Sequence, residues 1–295
     1  MSAIYTETSL MEEFEDKNYS STMLPSTSDQ DYINRIVIGN ITWLIVIDGH
    51  GEHFEYINKE DLVSWLKNYN WLEFLTTIEE ENPVNKLEEE IDKNYASTSG
   101  IGATISLIRI IDDIKITVWW RGDSYIKIFE DNELIGGSEL ISITMEEEKA
   151  RFKKENITYT LERSWRPSVL SETEITMVPS FYINFKTKTS NLTNRINMSQ
   201  CLGHDGVCGK SDNRNDYLIN RSKNYRIVGA SDGLWDVLME KDNEYLINRN
   251  NKAKDLVNMA LERWKQEWDY IWNGKNTGKQ KLDRRDDICC IVYDL

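Results

Sequence analysis

Ile41 to Gly51 reads ITWLIVIDGHG, and this stretch constrains the chain more than any other. A short apolar run bounded by turn residues has the pattern of a strand buried on both faces. The run stops at Asp48-Gly49-His50-Gly51. This end presents a carboxylate, two glycines that permit close backbone approach, and an imidazole. That set suits a hard metal ion beside a proton donor. Taken alone it is equally a chain turn followed by a surface histidine, because short motifs match often by chance.

Neighbouring segments sharpen the reading. Ile33–Ile38, Gly39-Asn40 and Ile41–Ile47 predict a hairpin with a two-residue turn. A hairpin brings its outer ends together, so Asp31 and Asp48 are expected near each other. Tyr56–Ile78 has helical spacing with one apolar face, ended by Pro83, and Val84–Tyr95 predicts a second helix. Gly102–Ile111 and Ile114–Trp120 predict a second hairpin. It is followed by Arg121-Gly122-Asp123-Ser124, a strand Tyr125–Phe129, and a short charged helix Met145–Asn156. Leu161–Lys223 reads as a long irregular excursion, with Met198-Ser-Gln-Cys-Leu-Gly-His204 as an ordered patch inside it. Tyr225–Ala230 predicts a strand, and Ser231-Asp232-Gly233-Leu234-Trp235-Asp236 opens a helix to Met239, for which Asp232 suits the N-cap. Lys252–Trp272 predicts a long amphipathic helix, and Ile288–Tyr293 a last strand. Strands in hairpins, then helices, then strands again predict an α+β fold: two antiparallel sheets packed face to face with helices outside.

Composition removes several function classes. Across 295 residues, 50 Asp and Glu outweigh 35 Lys and Arg, for a formal net charge of −15. Nucleic-acid backbones call for a basic footprint, so no nucleic-acid partner is expected. No apolar run reaches the roughly 18 residues a membrane span needs, and the polar, acidic start does not read as a signal peptide. A soluble, cytoplasmic or otherwise intracellular monomer is expected. Cys201, Cys208, Cys289 and Cys290 lack paired C-x-x-C spacing and read as buried thiols. There is no P-loop and no G-x-S-x-G.

The aspartates at predicted strand ends are Asp31, Asp48, Asp123, Asp232, and Asp286 or Asp287. Asp236 follows Asp232 by one helical turn. Each alone suits a turn or cap. Together, with no matching His/Cys cluster legible, they form an all-oxygen set that favours Mg²⁺ or Mn²⁺ over zinc. Two such ions sharing Asp48 would activate water and clamp a phosphoryl group, with His50 protonating the leaving oxygen. A histidine with a pKa near neutrality suits that task.

The ordered set Asp29-Gln30-Asp31, Asp48-Gly49-His50-Gly51, Ser99-Gly-x-Gly-Ala-Thr104, Gly122-Asp123-Ser124, Ser231–Asp236 and Arg285-Asp286-Asp287-Ile288-Cys289 resembles the metal-dependent serine/threonine phosphatases, the protein phosphatase 2C family. The resemblance runs from about residue 29 to 293. It implies a four-layer αββα sandwich with two Mn²⁺ or Mg²⁺ ions at one edge. By motif, Asp48 would bridge the ions, the Gly49 carbonyl would bind one, Asp232 and Asp286 would hold the other, and Asp31 would act through water. Asp123 and Asp236 match a weaker third site, and His50 matches the general acid. The resemblance also implies a phosphoserine/phosphothreonine protein substrate. Alternatives are a catalytically weak relative serving as a binding or regulatory module, or a phosphatase of small phosphomonoesters. Ser26 stands where the family's phosphate-binding arginine usually lies, and Gln200 where its flap arginine does. The acid-free stretch Phe181–Gln200 supplies Lys186, Lys188 and Arg195 as substitute substrate-binding cations. The expected layout is a flexible lead-in over 1–28 and a single catalytic domain over 29–295, with an irregular flap at about 161–223.

Overall fold

The structure is a computed structural model. It describes residues 11–26, 28–51, 62–78, 81–94, 100–112, 114–139, 146–186, 193–204, 207–208, 212–282 and 285–295. Strands β1 (Glu12–Glu15), β2 (Tyr19–Leu24), β3 (Asp31–Ile38) and β4 (Ile41–Gly51) come first. Helices α1 (Leu62–Lys67), α2 (Trp71–Thr77) and α3 (Pro83–Asn94) follow. Next are β5 (Ile101–Ile111), β6 (Lys115–Arg121), β7 (Tyr125–Glu130), β8 (Glu133–Gly137), α4 (Glu146–Glu155), β9 (Thr158–Pro167), β10 (Glu174–Lys186), β11 (Thr193–Ile196), β12 (Leu202–Gly203) and β13 (Arg214–Leu218). The chain ends with β14 (Tyr225–Ala230), α5 (Asp232–Trp235), α6 (Asn243–Ile247), α7 (Ala253–Lys265), β15 (Glu267–Trp272), β16 (Lys275–Lys281) and β17 (Ile288–Asp294).

Two sheets face each other. One runs β13-β6-β5-β4-β3, with β12 added to β5, and the other runs β1-β2-β17-β14-β7-β8. Their pairings are antiparallel. The apolar run in β4 explains the layering, because strand side chains alternate between faces. Trp43, Ile45 and Ile47 pack under α1, α2 and α3 against Leu62, Leu66, Leu75, Leu87 and Ile91. Leu44 and Val46 point the other way and meet Ile126, Ile128, Ile227 and Ile291 of the second sheet. That sheet's outer face carries Val228, Cys290 and Val292 against Leu234, Leu256, Val257 and Ala260 of α5 and α7. The order is therefore helices, sheet, sheet, helices, as expected. No helix among the described residues is long and apolar enough to cross a membrane.

Several local expectations change. Tyr19–Leu24 of the expected lead-in is a strand on β17, with Met23 opposite Cys289; that edge needs a partner for its backbone groups. The helix expected over Tyr56–Ile78 is two helices across its described part, broken at Tyr69-Asn70. The Asn70 side chain caps the second by accepting the Glu73 N–H at 3.3 Å. Pro83 opens α3 rather than ending the preceding segment; a missing N–H costs nothing at a helix start. Ser231, not Asp232, is the N-cap of α5, which ends at Trp235 rather than Met239. The long helix stops at Lys265, because the aromatic-rich Glu267–Trp272 joins a sheet instead.

The largest difference lies at 161–223. A third sheet, β11-β10-β15-β16 with β9 on β10, occupies much of it. β9 and β10 pair antiparallel from Pro167↔Ile175 to Thr158↔Asn184. β15 joins β10 in parallel. Pro167 and Pro179 masked the strand pattern in sequence, and both faces carry polar residues.

Candidate functional site

Strand ends from both central sheets meet at one rim. β3 and β4 are paired so that Asp31 lies directly opposite Asp48. The Gly49 N–H donates to the Gln30 carbonyl at 2.9 Å. A Cβ at Gly49 would lie 2.2 Å from Val63 Cγ2 and 2.8 Å from the Gln30 oxygen, so this crossing requires glycine. The Ser231 hydroxyl donates to Asp31 at 2.6 Å and accepts from the Cys289 N–H at 3.1 Å. That residue thus locks the start of α5 to β3 and β17. Asp123 sits in the turn between β6 and β7, Asp232 in α5, and Asp236 one turn later as the α5 C-cap.

These carboxylates converge. Oxygens of Asp48, Asp123 and Asp232 lie within 4.8 Å of one another. Asp48 Oδ2 and Asp123 Oδ1 are buried with no hydrogen-bond partner among the described residues. Burying a charge without a partner is costly, and like charges add to that cost. Burial and then the neighbouring aspartates push Asp48 and Asp232 well up. Burial pushes Asp31 up to about 8 against the Ser231 hydrogen bond, with Asp287 and Asp286 adding to it. Burial and then Asp236 push Asp123 up to about 6. Such a set, with orphaned oxygens facing one another, suits a hard divalent cation.

Asp286 and Asp287 divide their roles. The Asp287 carboxylate is buried and taken up by the chain before β3: it accepts from Ser26 N–H, from Ser28 Oγ at 3.0 Å and from Gln30 N–H at 2.7 Å. The charge of Asp286 acts on Asp31, Asp48, Asp123 and Asp232. Asp286 therefore stands with the cluster and Asp287 with the loop. Ser26 is likewise part of this loop clamp.

His50 lies beyond Asp48 on β4. Both of its ring nitrogens are buried without a hydrogen-bond partner among the described residues. Burial and then His204 push its pKa well below the ordinary histidine value, away from the near-neutral value expected. Its ring stacks on His204, with centroids 5.0 Å apart. Gln200 is buried and acts inside the fold, donating to Glu148 at 2.9 Å and accepting from Asn213 at 2.7 Å.

Of the proposed substitute cations, Arg195 has a described side chain. Arg195 pairs with Glu162 at 2.5 Å and lies over the Tyr182 ring. Lys188 falls outside the described residues, as does the side chain of Lys186. Arg166, on β9, is a cation at the carboxylates: its guanidinium lies 2.5 Å from Asp236 and feels Asp232 and Asp123. No local pattern separates Arg166 from Arg163 three residues earlier; only the seating of the third sheet selects it. Arg166, Asp123, Asp232 and Asp236 line a cleft of about 840 Å³ together with Val178, Phe181, Met198 and Trp235.

No family model matches the chain, and no curated protein does. Solved structures do. The chain is similar to a sex-determining protein of C. elegans, with 16% identity, 96% of this chain and 66% of that chain covered, and a TM-score of 0.60. It is also similar to the serine/threonine phosphatase Stp1 of Staphylococcus aureus, with 13% identity, 96% and 97% covered, and a TM-score of 0.51. The chain spans just under two thirds of the first protein's length. At these identities the likeness is one of fold.

Proposed function

We propose that this chain, which has the protein phosphatase 2C-like fold, hydrolyses phosphoserine and phosphothreonine in proteins with the help of divalent cations. The observation that carries the reading is the convergence of Asp48, Asp123 and Asp232, with Asp48 Oδ2 and Asp123 Oδ1 buried and without a hydrogen-bond partner among the described residues. Asp48, the Gly49 carbonyl, Asp232, Asp286 and Asp31 would hold two Mn²⁺ or Mg²⁺ ions, and Asp123 with Asp236 a third. Ions held there supply charge neutralisation at a phosphoryl oxygen and activation of a water.

The chain's own residues do the rest. Ser231 orients Asp31 through its hydroxyl. Arg166 offers a planar guanidinium at the cleft edge, suited to a phosphate or an acidic peptide. The apolar wall of Val178, Phe181 and Met198 gives a peptide a surface to lie on. His50 delivers a proton to the departing serine or threonine oxygen. Its low pKa in the substrate-free protein rises when a phosphate dianion sits beside it, because an opposite charge favours imidazolium. The catalytic domain is taken as 29–295, completed by β1 and β2 at its sheet edge. A non-catalytic binding role is the second reading; Ser26 in place of an arginine favours it.

The deciding experiment measures hydrolysis of an aryl phosphate and of a phosphothreonine peptide with Mn²⁺, with Mg²⁺ and with chelator. Turnover of both that requires the cation supports the reading. No turnover of either with either cation overturns it in favour of binding.

A further inference from the structure

Met198–His204 forms part of a second cluster of ligand atoms, away from the carboxylates in chemistry though close in space. His50, Cys201 and His204 each offer a donor atom, and these atoms lie within 4.8 Å of one another. Cys201 and His204 are buried, and both nitrogens of His50 are shielded from solvent with no hydrogen-bond partner among the described residues. An unsatisfied buried imidazole is costly and calls for an explanation.

The gap between the rings has a defined shape. A Cβ on Gly102 would lie 2.6 Å from His204 Nε2 and 2.7 Å from His50 Nε2. Both Nε2 atoms therefore face one small space, kept open by the missing side chain. His204 reaches it with a left-handed backbone, φ +49°, which non-glycine residues adopt only when their surroundings hold them there. Phe185 packs edge-on against His204, their ring centroids 5.4 Å apart.

We propose that His50, Cys201 and His204 form a site for a soft divalent cation of the zinc class. Two imidazoles and a thiolate match zinc's preferred donors, and hard Mg²⁺ or Mn²⁺ prefers the oxygens of the aspartate rim. Tetrahedral zinc with nitrogen and sulfur bonds of roughly 2.0–2.3 Å sets neighbouring donors some 3.3–3.7 Å apart, so a small inward shift completes the site. Binding exchanges the Cys201 thiol proton for the metal, the proton leaving to solvent. On the reading of His50 as general acid, on which this consequence rests, the bound ion occupies the nitrogen that would deliver the proton and stops hydrolysis of esters with poor leaving groups.

Cobalt(II) replaces zinc in such sites and reports a thiolate ligand optically, whereas aspartate oxygens give no thiolate charge-transfer band. The test titrates Co²⁺ into the full chain in excess Mg²⁺. Expected are an intense near-ultraviolet band saturating at one equivalent, and its displacement by Zn²⁺. The band persists in Asp232→Asn and disappears in Cys201→Ser with the melting transition retained. Gly102→Ala keeps every ligand but fills the gap, and weakens Co²⁺ binding roughly 10–100-fold, as for groups that support a metal site. A folded wild-type protein with no such band in excess Co²⁺ overturns the proposal, as does a band that survives Cys201→Ser. Because this readout needs no turnover, the site stands or falls separately from the phosphatase reading.

Discussion

The Arg166 guanidinium lies 2.5 Å from the Asp236 carboxylate, joining the third sheet to the end of α5 at the carboxylate rim. The pair is partly solvent-exposed, with side chains 42% and 32% accessible, so its role is better sought in binding than in stability. Arg166→Ala is expected to raise KM for a phosphothreonine peptide about tenfold or more, the effect of losing a charge-assisted hydrogen bond, with kcat little changed. Unchanged KM at low salt removes Arg166 from substrate binding.

Asp48 sits where the carboxylates converge, and replacing its charge strikes the cation site directly. Asp48→Asn is expected to abolish Mn²⁺-dependent hydrolysis while leaving the circular dichroism spectrum intact. Near-normal turnover in this variant would place the centre elsewhere.

His50→Ala is expected to slow hydrolysis of phosphopeptides by about 10²–10⁴-fold, the usual range for a general acid. Aryl phosphates with good leaving groups should lose much less. Equal losses on both substrates would assign His50 a structural role.

Without cations, the rim gives stability an inverted pH dependence. Burial holds Asp123 up to about 6 and Asp31 up to about 8, with Asp48 and Asp232 also raised. A raised carboxyl binds its proton more tightly in the native state. Its contribution is whole below the unfolded value of about 3.9 and is lost as pH rises through the folded values. The metal-free protein is therefore expected to melt at lower temperature at pH 8 than at pH 5, and Mn²⁺ to raise the melting temperature more at pH 8. A cation effect independent of pH would contradict the clustered burial of these groups.

Glu88 and Arg121 form an ion pair between α3 and β6 with side chains only 2% and 0% accessible. Glu88→Ala leaves the guanidinium buried without its counter-charge. It should destabilise the fold by about 3–5 kcal/mol, measured by urea denaturation with Mg²⁺ present. A loss below about 1 kcal/mol would show that water or another group reaches Arg121.

The central sandwich was legible because its signals are local. The apolar run of β4, its two-residue turn, and the helical spacing of α3 and α7 need only neighbouring residues to be read. The third sheet was not legible: β9 and β10 bear prolines and polar residues on both faces, so no period stands out. The pairing of Trp268 and Tyr270 with that sheet likewise overrode the helical spacing that runs through 252–272.

The sequence by itself determined where the carboxylates stand along the chain, since aspartates beside glycines mark strand ends and hairpin geometry sets Asp31 against Asp48. Tertiary structure alone decided which groups meet across long separations. It turned Asp287 into the loop clamp and left Asp286 with the rim, delivered Arg166 to Asp236 seventy residues away, and stacked His204 on His50 beside Cys201. The reason is that turn and strand preferences act over a few residues, whereas these meetings depend on how whole sheets and loops are seated on one another, which no short stretch of sequence encodes.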